Sequence, residues 1–390
     1  MLGMAHQLWQ RARTLLPMQG FSFDRPLVVF QSDDWGRVGL RDREGLEELR
    51  TAGLNLGEQP YDFYTLETAD DVGALSQLLK RHRDATGRPA CIGMNFLSGN
   101  LDFAKMAGEN FHRIHLRALA DGLPEKWQRP GLFEAYREGV DAGVLWPALH
   151  GHSHFCQSAV QREIEKQTER ASLITTLWKA GTPYIHWRMP WIGYEYWDPE
   201  LAEDERFLPS EVQTTAIGAA VGHFVSFFST LPTSACAPGY RANDDTHKAW
   251  AHFGVRVAQN GPGSSRPPHL DGYGLLHLYR AISFEPATSA ELSVEASVNA
   301  ASACFARGVP AVVSIHSINF HSTVKDFRSR TLDLVDQFLT ALESKHGDLL
   351  YLHDGDIYDL VQSGRYATDS KDVSVGVSKR TFTPRRAGKS

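Results

Sequence analysis

Leu27-Val28-Val29-Phe30-Gln31-Ser32-Asp33-Asp34-Trp35-Gly36 is the stretch whose reading decides the fold. Four apolar residues in a row read as a buried strand. Two adjacent carboxylates stand at its end, and Gly36 lets the chain turn away. Successive side chains on a strand point to opposite sides. The expectation is therefore one carboxylate on a metal and its neighbour facing a reacting water. A lone Asp pair can equally cap a helix or make a turn, so the reading depends on what the rest of the chain brings to it.

Outward from this strand the pattern alternates. Arg41 to Ala52 and Ala69 to Arg83 read as helices, the second with Val72, Leu75, Leu78 and Leu79 at helical spacing. Pro89 to Leu97 is a second short apolar run, Leu132 to Ala142 a helix, and Val144 to Leu149 a third strand. Further on, Gln157 to Ala180 reads as one long polar helix and Ser210 to Phe228 as an apolar one. Ser234 to Arg241 reads as a strand end or turn, and Asp244 to Phe253 as a helix. Val255 to Val257 reads as a short strand, and Gly261 to Gly274 as a loop. Val294 to Ala306 and Arg330 to Ser344 read as helices. Ala311 to Ile315 and Asp348 to Leu352 close the set as strands. Alternating strands and helices predict an α/β fold with a mainly parallel sheet or barrel, its chemistry on loops at the carboxyl ends of strands.

Bulk properties narrow the class. The chain has 390 residues, 42% hydrophobic and 22% charged, with a net charge of −6 and a pI near 6.3. These are the values of a globular protein, and they imply no basic surface for nucleic acid. No run approaches the ~18 apolar residues of a membrane span. Cys91, Cys156, Cys236 and Cys304 are scattered, which suits a reducing compartment, and the cytoplasm is expected. Residues 1–20 read as an N-terminal amphipathic helix stopped near Pro17 and not as a signal peptide. Residues 21–365 read as one barrel domain. From 366 onward six Lys/Arg face Asp369 and Asp372, and the tail 366–390 reads as basic and disordered.

The third strand runs into His150-Gly151-His152-Ser153-His154. His150 and His154 are four apart, which puts both imidazoles on one face of a tight turn. Two histidines with one carboxylate make a three-ligand site with a position left open. A solvated histidine loop is the plain alternative. Cys156 reads as a buried, inert thiol.

The order of these motifs resembles the polysaccharide deacetylase family (carbohydrate esterase family 4, the NodB homology domain). The Asp pair comes first, then the His150–His154 motif, then Ala237-Pro238-Gly239-Tyr240, then a strand ending in His316. The resemblance covers roughly Arg25 to Leu360. It implies a distorted (β/α) barrel of mainly parallel strands. It also implies Asp33 as catalytic base, Asp34, His150 and His154 as ligands of a divalent ion, and His316 as general acid. An Arg normally precedes the Pro-Gly-Tyr turn, and Cys236 stands there. Arg241, five residues on, is expected to take its place as a catalytic residue, with Arg188 as the second candidate. The stretch at about 156–207 is longer than the family pattern and carries six aromatics in the fourteen residues Tyr184 to Trp197.

The expected function is metal-dependent hydrolysis of an N- or O-acyl group on a sugar or related amide. A divalent ion, zinc by its ligands, lowers the pKa of water from ~15.7 to about 7. Asp33 would take the proton, a backbone N–H near Tyr240 would hold the oxyanion, and His316 would protonate the leaving group. Trp35, Tyr240, Asn319, Trp187 and Trp191 are the expected substrate-binding residues, with a carbohydrate or other acylated small molecule as partner. Two alternatives carry over: a non-catalytic carbohydrate-binding relative, and a non-haem iron oxygenase, which the helix-rich pattern disfavours.

Overall fold

The computed structural model describes residues 18–262, 266–367 and 372–382. One large sheet carries the fold. Its order runs Ile282–Ser283, Ala311–His316, Leu27–Trp35, Ile92–Phe96, Leu145–Leu149, Ser234–Cys236, Val257–Asn260, Leu276–Tyr279 and His269–Leu270. Every pairing along this path is parallel except the last. The opening strand is central. It pairs with Ala311–His316 on one side, and on the other with Leu350–Leu352 at its start and Ile92–Phe96 at its end.

The sheet closes through a single stretch that was not read as strand from the sequence, Leu276–Ser283. Its first four residues pair with Val257–Asn260. Ala281 N–H then donates to Val312 O at 2.9 Å, and Ile282–Ser283 pair with Ala311–His316. The same run of backbone thus joins both ends of the path, and the result is a distorted barrel. Its lower interior is apolar: Leu27, Val29, Val257, Leu276, Leu278, Val312, Leu350 and Leu352 form one buried cluster with Phe21 and Phe23 below them. The next inward positions are polar, Gln31 then Asp33 on the first strand, because alternation keeps 27, 29, 31 and 33 on one face.

Three expectations need correction. The helix expected over Gln157–Ala180 is two, Gln157–Lys166 and Glu169–Lys179. Gln167 caps the first in a left-handed conformation (φ 52°), and Thr168 starts the second by accepting the Ala171 N–H. The tail is not disordered throughout: Val377–Phe382 pairs antiparallel with Met18–Phe23, and Asp372–Ser374 with Arg365–Ala367. Met18 to Gly20, placed in the N-terminal helix from sequence, belong to that strand pair. Residues 1–17 and 383–390 lie outside the described residues. Among the described residues, no helix is long and apolar enough to cross a membrane.

Candidate active site

The first strand ends in a bulge. Its register against Ile92–Phe96 shifts between Ser32 and Trp35, and Asp34 takes a left-handed φ of 75°. A non-glycine residue there costs on the order of 1 kcal/mol. Tyr64 and Ser317 hold the bulge by donating their hydroxyls to the Asp34 carbonyl at 2.7 and 3.2 Å. The consequence corrects the alternation argument. Asp33 and Asp34 do not face opposite sides, and both line one cleft of about 330 Å³.

Asp34 meets both motif histidines. Its Oδ1 lies 3.4 Å from His150 Nε2 and 3.2 Å from His154 Nε2. Three donor atoms at such separations fit around one small ion. Asp34 Oδ1 is buried with no hydrogen-bond partner and has Arg37 Nη1 3.4 Å away as an ion-pair partner, so it keeps bonding capacity for an ion. His150 Nδ1 donates to the Cys236 carbonyl at 3.0 Å, which leaves its Nε2 lone pair aimed into the site. Burial pushes the His154 imidazole well below its ordinary pKa, so it is neutral and able to ligate. The donor set of two imidazoles and a carboxylate thus suits a divalent ion.

The loop that carries the histidines is braced from the insertion. Glu195, buried, accepts the backbone N–H groups of His152 at 3.0 Å and Ser153 at 3.2 Å. Gly151 has φ 104°, and a Cβ there would lie 2.0 Å from Glu195 Oε2, so only glycine fits. Burial raises the Glu195 carboxyl to about 8.

Asp33 has a different partner from the one expected. Arg280, on the stretch that closes the barrel, grips it through Nη1 to Oδ2 and Nη2 to Oδ1, each 2.6 Å. Arg280 also donates to Gln31, Tyr240, Ser314 and Gln259. Although burial alone would raise Asp33, Arg280 holds it well below the usual carboxylate range. Arg241 instead stacks its guanidinium 4.6 Å from the Trp197 ring centroid. Arg188 pairs with Asp62 at 2.9 and 3.0 Å. Cys236 has a role here: its thiol lies 3.6 Å from Arg280 Nη2, so a small side chain at that position leaves room for a guanidinium arriving from elsewhere. The clue in the sequence was Leu276-His277-Leu278-Tyr279-Arg280-Ala281-Ile282, whose alternation puts one cation on an otherwise apolar inward face.

His316 sits beside Asp33 as their strands pair in register, with Nε2 3.6 Å from Asp33 Oδ2. Its Nδ1 donates to Glu285 Oε1 at 2.7 Å. Burial would lower His316, but the Glu285 carboxylate outweighs it and lifts the imidazole to about 9. Asn319 is not at the cleft surface. It is buried, and its amide donates to Glu285 Oε2 at 2.6 Å, so it positions Glu285 and not a ligand.

Of the other expected substrate-binding residues, two line the cleft and two do not. Tyr240 lines it, with its hydroxyl 3.2 Å from Asp33 Oδ2, and Trp187 does so at the mouth. Trp35 is fully buried, bonded to Ser32 Oγ at 2.8 Å and stacked on Phe320. Trp191 is a core residue of the insertion. The expected backbone donor at Tyr240 is also spoken for, since its N–H donates to Ala237 O at 2.8 Å. Arg37, Tyr61 and Tyr64, which the sequence reading did not name, also line the cleft, together with Tyr184, His186 and Tyr194 of the aromatic stretch. The insertion forms one wall and is latched by Asp62, which also accepts the Trp187 indole N–H at 3.0 Å.

The assembled barrel and cleft can be set beside known proteins. Solved polysaccharide deacetylases and family 4 carbohydrate esterases are similar to this chain in structure. It aligns over 90% of its length with 95% of a polysaccharide deacetylase described as putative, from Mycobacterium smegmatis, at 12% identity and a TM-score of 0.47. It aligns over 83% of its length with 90% of a family 4 carbohydrate esterase from Streptomyces lividans solved with acetate, at 12% identity and 0.32. A pseudoenzyme of carbohydrate esterase family 4 from Bacillus anthracis matches over 86% of this chain and 66% of its own, at 9% and 0.36. No family model matches the sequence, and no curated protein does. These likenesses carry no function to this chain, and the case for one rests on the side chains.

Proposed function

We propose that this chain is a metal-dependent hydrolase that removes an acetyl or other acyl group from an N- or O-acylated sugar or related amide. The observation that carries the reading is convergence on one cleft. It holds a carboxylate gripped by Arg280 (Asp33), an Asp-His-His set (Asp34, His150, His154) and an imidazole paired with Glu285 (His316).

Asp34, His150 and His154 would hold a divalent ion, most simply zinc, which supplies a Lewis acid and an acidic water. Asp33 is ionised at any ordinary pH and accepts the proton of the attacking water. The Arg280 grip that fixes its position also reduces its basicity. His316, charged at neutral pH, gives its Nε2 proton to the leaving nitrogen or oxygen, and Glu285 steadies the charge. Arg37, buried beside Asp34 on the cleft wall with its Nε unpartnered, would be a cationic donor for the oxyanion of such a substrate. Tyr61, Tyr184, Tyr194 and Trp187 offer ring faces for a sugar. The four cysteines are free thiols, in keeping with the cytoplasmic location we propose.

The test pairs metal analysis with an acetate-release screen over acetylated sugars and amides. The reading expects metal-dependent acetate release that falls with His150→Ala and His154→Ala in step with metal content. Saccharide binding without acetate release would favour the non-catalytic relative, and full metal retention by both variants would overturn the ligand assignment.

A further inference from the structure

A second cluster of metal-ligating side chains lies away from the cleft, on the outer face of the barrel wall. Leu276 and Leu278 point into the barrel, so His277 between them points out. His277 Nε2 lies 3.2 Å from Asp271 Oδ2. His247, on the helix Asp244–His252, packs its ring edge-on at 4.8 Å from the His277 ring. One donor atom from each of His247, Asp271 and His277 falls within 4.8 Å of the other two. His269 is the backbone partner of His277 across the antiparallel pair, its ring stacked at 4.9 Å.

The surroundings favour ligation. Asp271 is fixed in orientation, because its Oδ1 accepts the N–H groups of Tyr273 at 2.8 Å and Leu275 at 2.9 Å. That leaves Oδ2 to face His277, as a carboxylate braced from behind does in metal sites. An open cavity of about 680 Å³ meets the cluster, lined also by Asp244, Asn260, Arg266 and Tyr279, and gives an ion a way in. Imidazole nitrogens with one carboxylate suit zinc, cobalt or nickel over calcium or magnesium.

We propose that His247, Asp271 and His277 form a second divalent transition-metal site, which ties the helix Asp244–His252 to the hairpin whose outgoing strand leads into Arg280. The ion would act on the barrel wall and not on substrate.

The experiment uses the full chain with His150→Ala and His154→Ala together, so that the cleft ligands are gone. After metal stripping, cobalt is added and followed by visible absorption and equilibrium dialysis. We expect one equivalent to bind, with the d–d bands of a nitrogen-containing site, and zinc to raise the melting temperature of this protein. Adding His277→Ala or Asp271→Asn should abolish both signals, with circular dichroism confirming the fold. Absence of bound cobalt in the starting variant, or cobalt that survives loss of His247 and His277, overturns the proposal. Failure of the deacetylase reading would leave this result untouched, because no turnover is measured.

Discussion

Arg280 reaches Asp33 from the far side of the barrel closure, 247 residues along the chain, and binds both of its carboxylate oxygens at 2.6 Å. The pair is buried, and desolvating two charges is repaid only by such two-point geometry with the remaining N–H groups also satisfied. Arg280→Ala is expected to destabilise the protein by about 3–5 kcal/mol, since it strands a buried carboxylate. Thermal or denaturant unfolding checks this. Cys236→Arg in the Arg280→Ala background should recover part of the stability and turnover, as the thiol adjoins the vacated space. No recovery at all would mean that the two positions are not spatially interchangeable.

Arg241→Ala should leave the acidic limb of the pH–rate profile in place. Its guanidinium stacks on Trp197 and does not touch Asp33. The expected loss is the ~0.5–1 kcal/mol of an exposed cation–π contact. A shifted acidic limb in this variant would contradict the geometry.

Asp33→Asn should keep the metal and lose turnover by about 10²–10⁴-fold, the usual worth of general-base help. Elemental analysis beside initial rates separates the two quantities. Loss of the ion in proportion to activity would make Asp33 a ligand.

Glu285→Gln should move the basic limb of the rate profile to lower pH. His316 is raised to about 9 by Glu285, so the acid form persists through neutral pH and is lost as pH rises through about 9. The sign for stability is the same. The raised pKa stabilises the fold fully below the unfolded value near 6.5, and the contribution fades as pH climbs through about 9. Without the carboxylate, burial pulls the imidazole down and both effects fade earlier. A basic limb unmoved by Glu285→Gln would remove His316 from the role of general acid.

Much of this was local information. The apolar run before Asp33, the four-residue spacing of His150 and His154 and the strand ending in His316 depend on neighbours in sequence, where period and turn chemistry act. Those four residues and Asp34 do meet in one cleft. Asn319 and Trp35 misled for a related reason. Residue type and nearness to a motif say that a side chain is close to the site, but not whether it faces the cleft or the core. The bulge at Asp34 turned one carboxylate by a backbone rotation that no residue pattern announced.

What the amino-acid sequence determined by itself was the alternation of strands and helices and the candidate acid, base and ligand side chains at strand ends. Only the tertiary structure decided which cation serves Asp33. The sequence offered Arg241 and then Arg188, both by nearness to the motifs, and no motif gave reason to look as far as Arg280. The choice follows from barrel closure, which brings Leu276–Ser283 beside Ala311–His316 and points Arg280 inward at the height of Asp33. A contact between residues 247 apart is set by the register and curvature of the whole sheet, and those are properties of the packed barrel rather than of any segment.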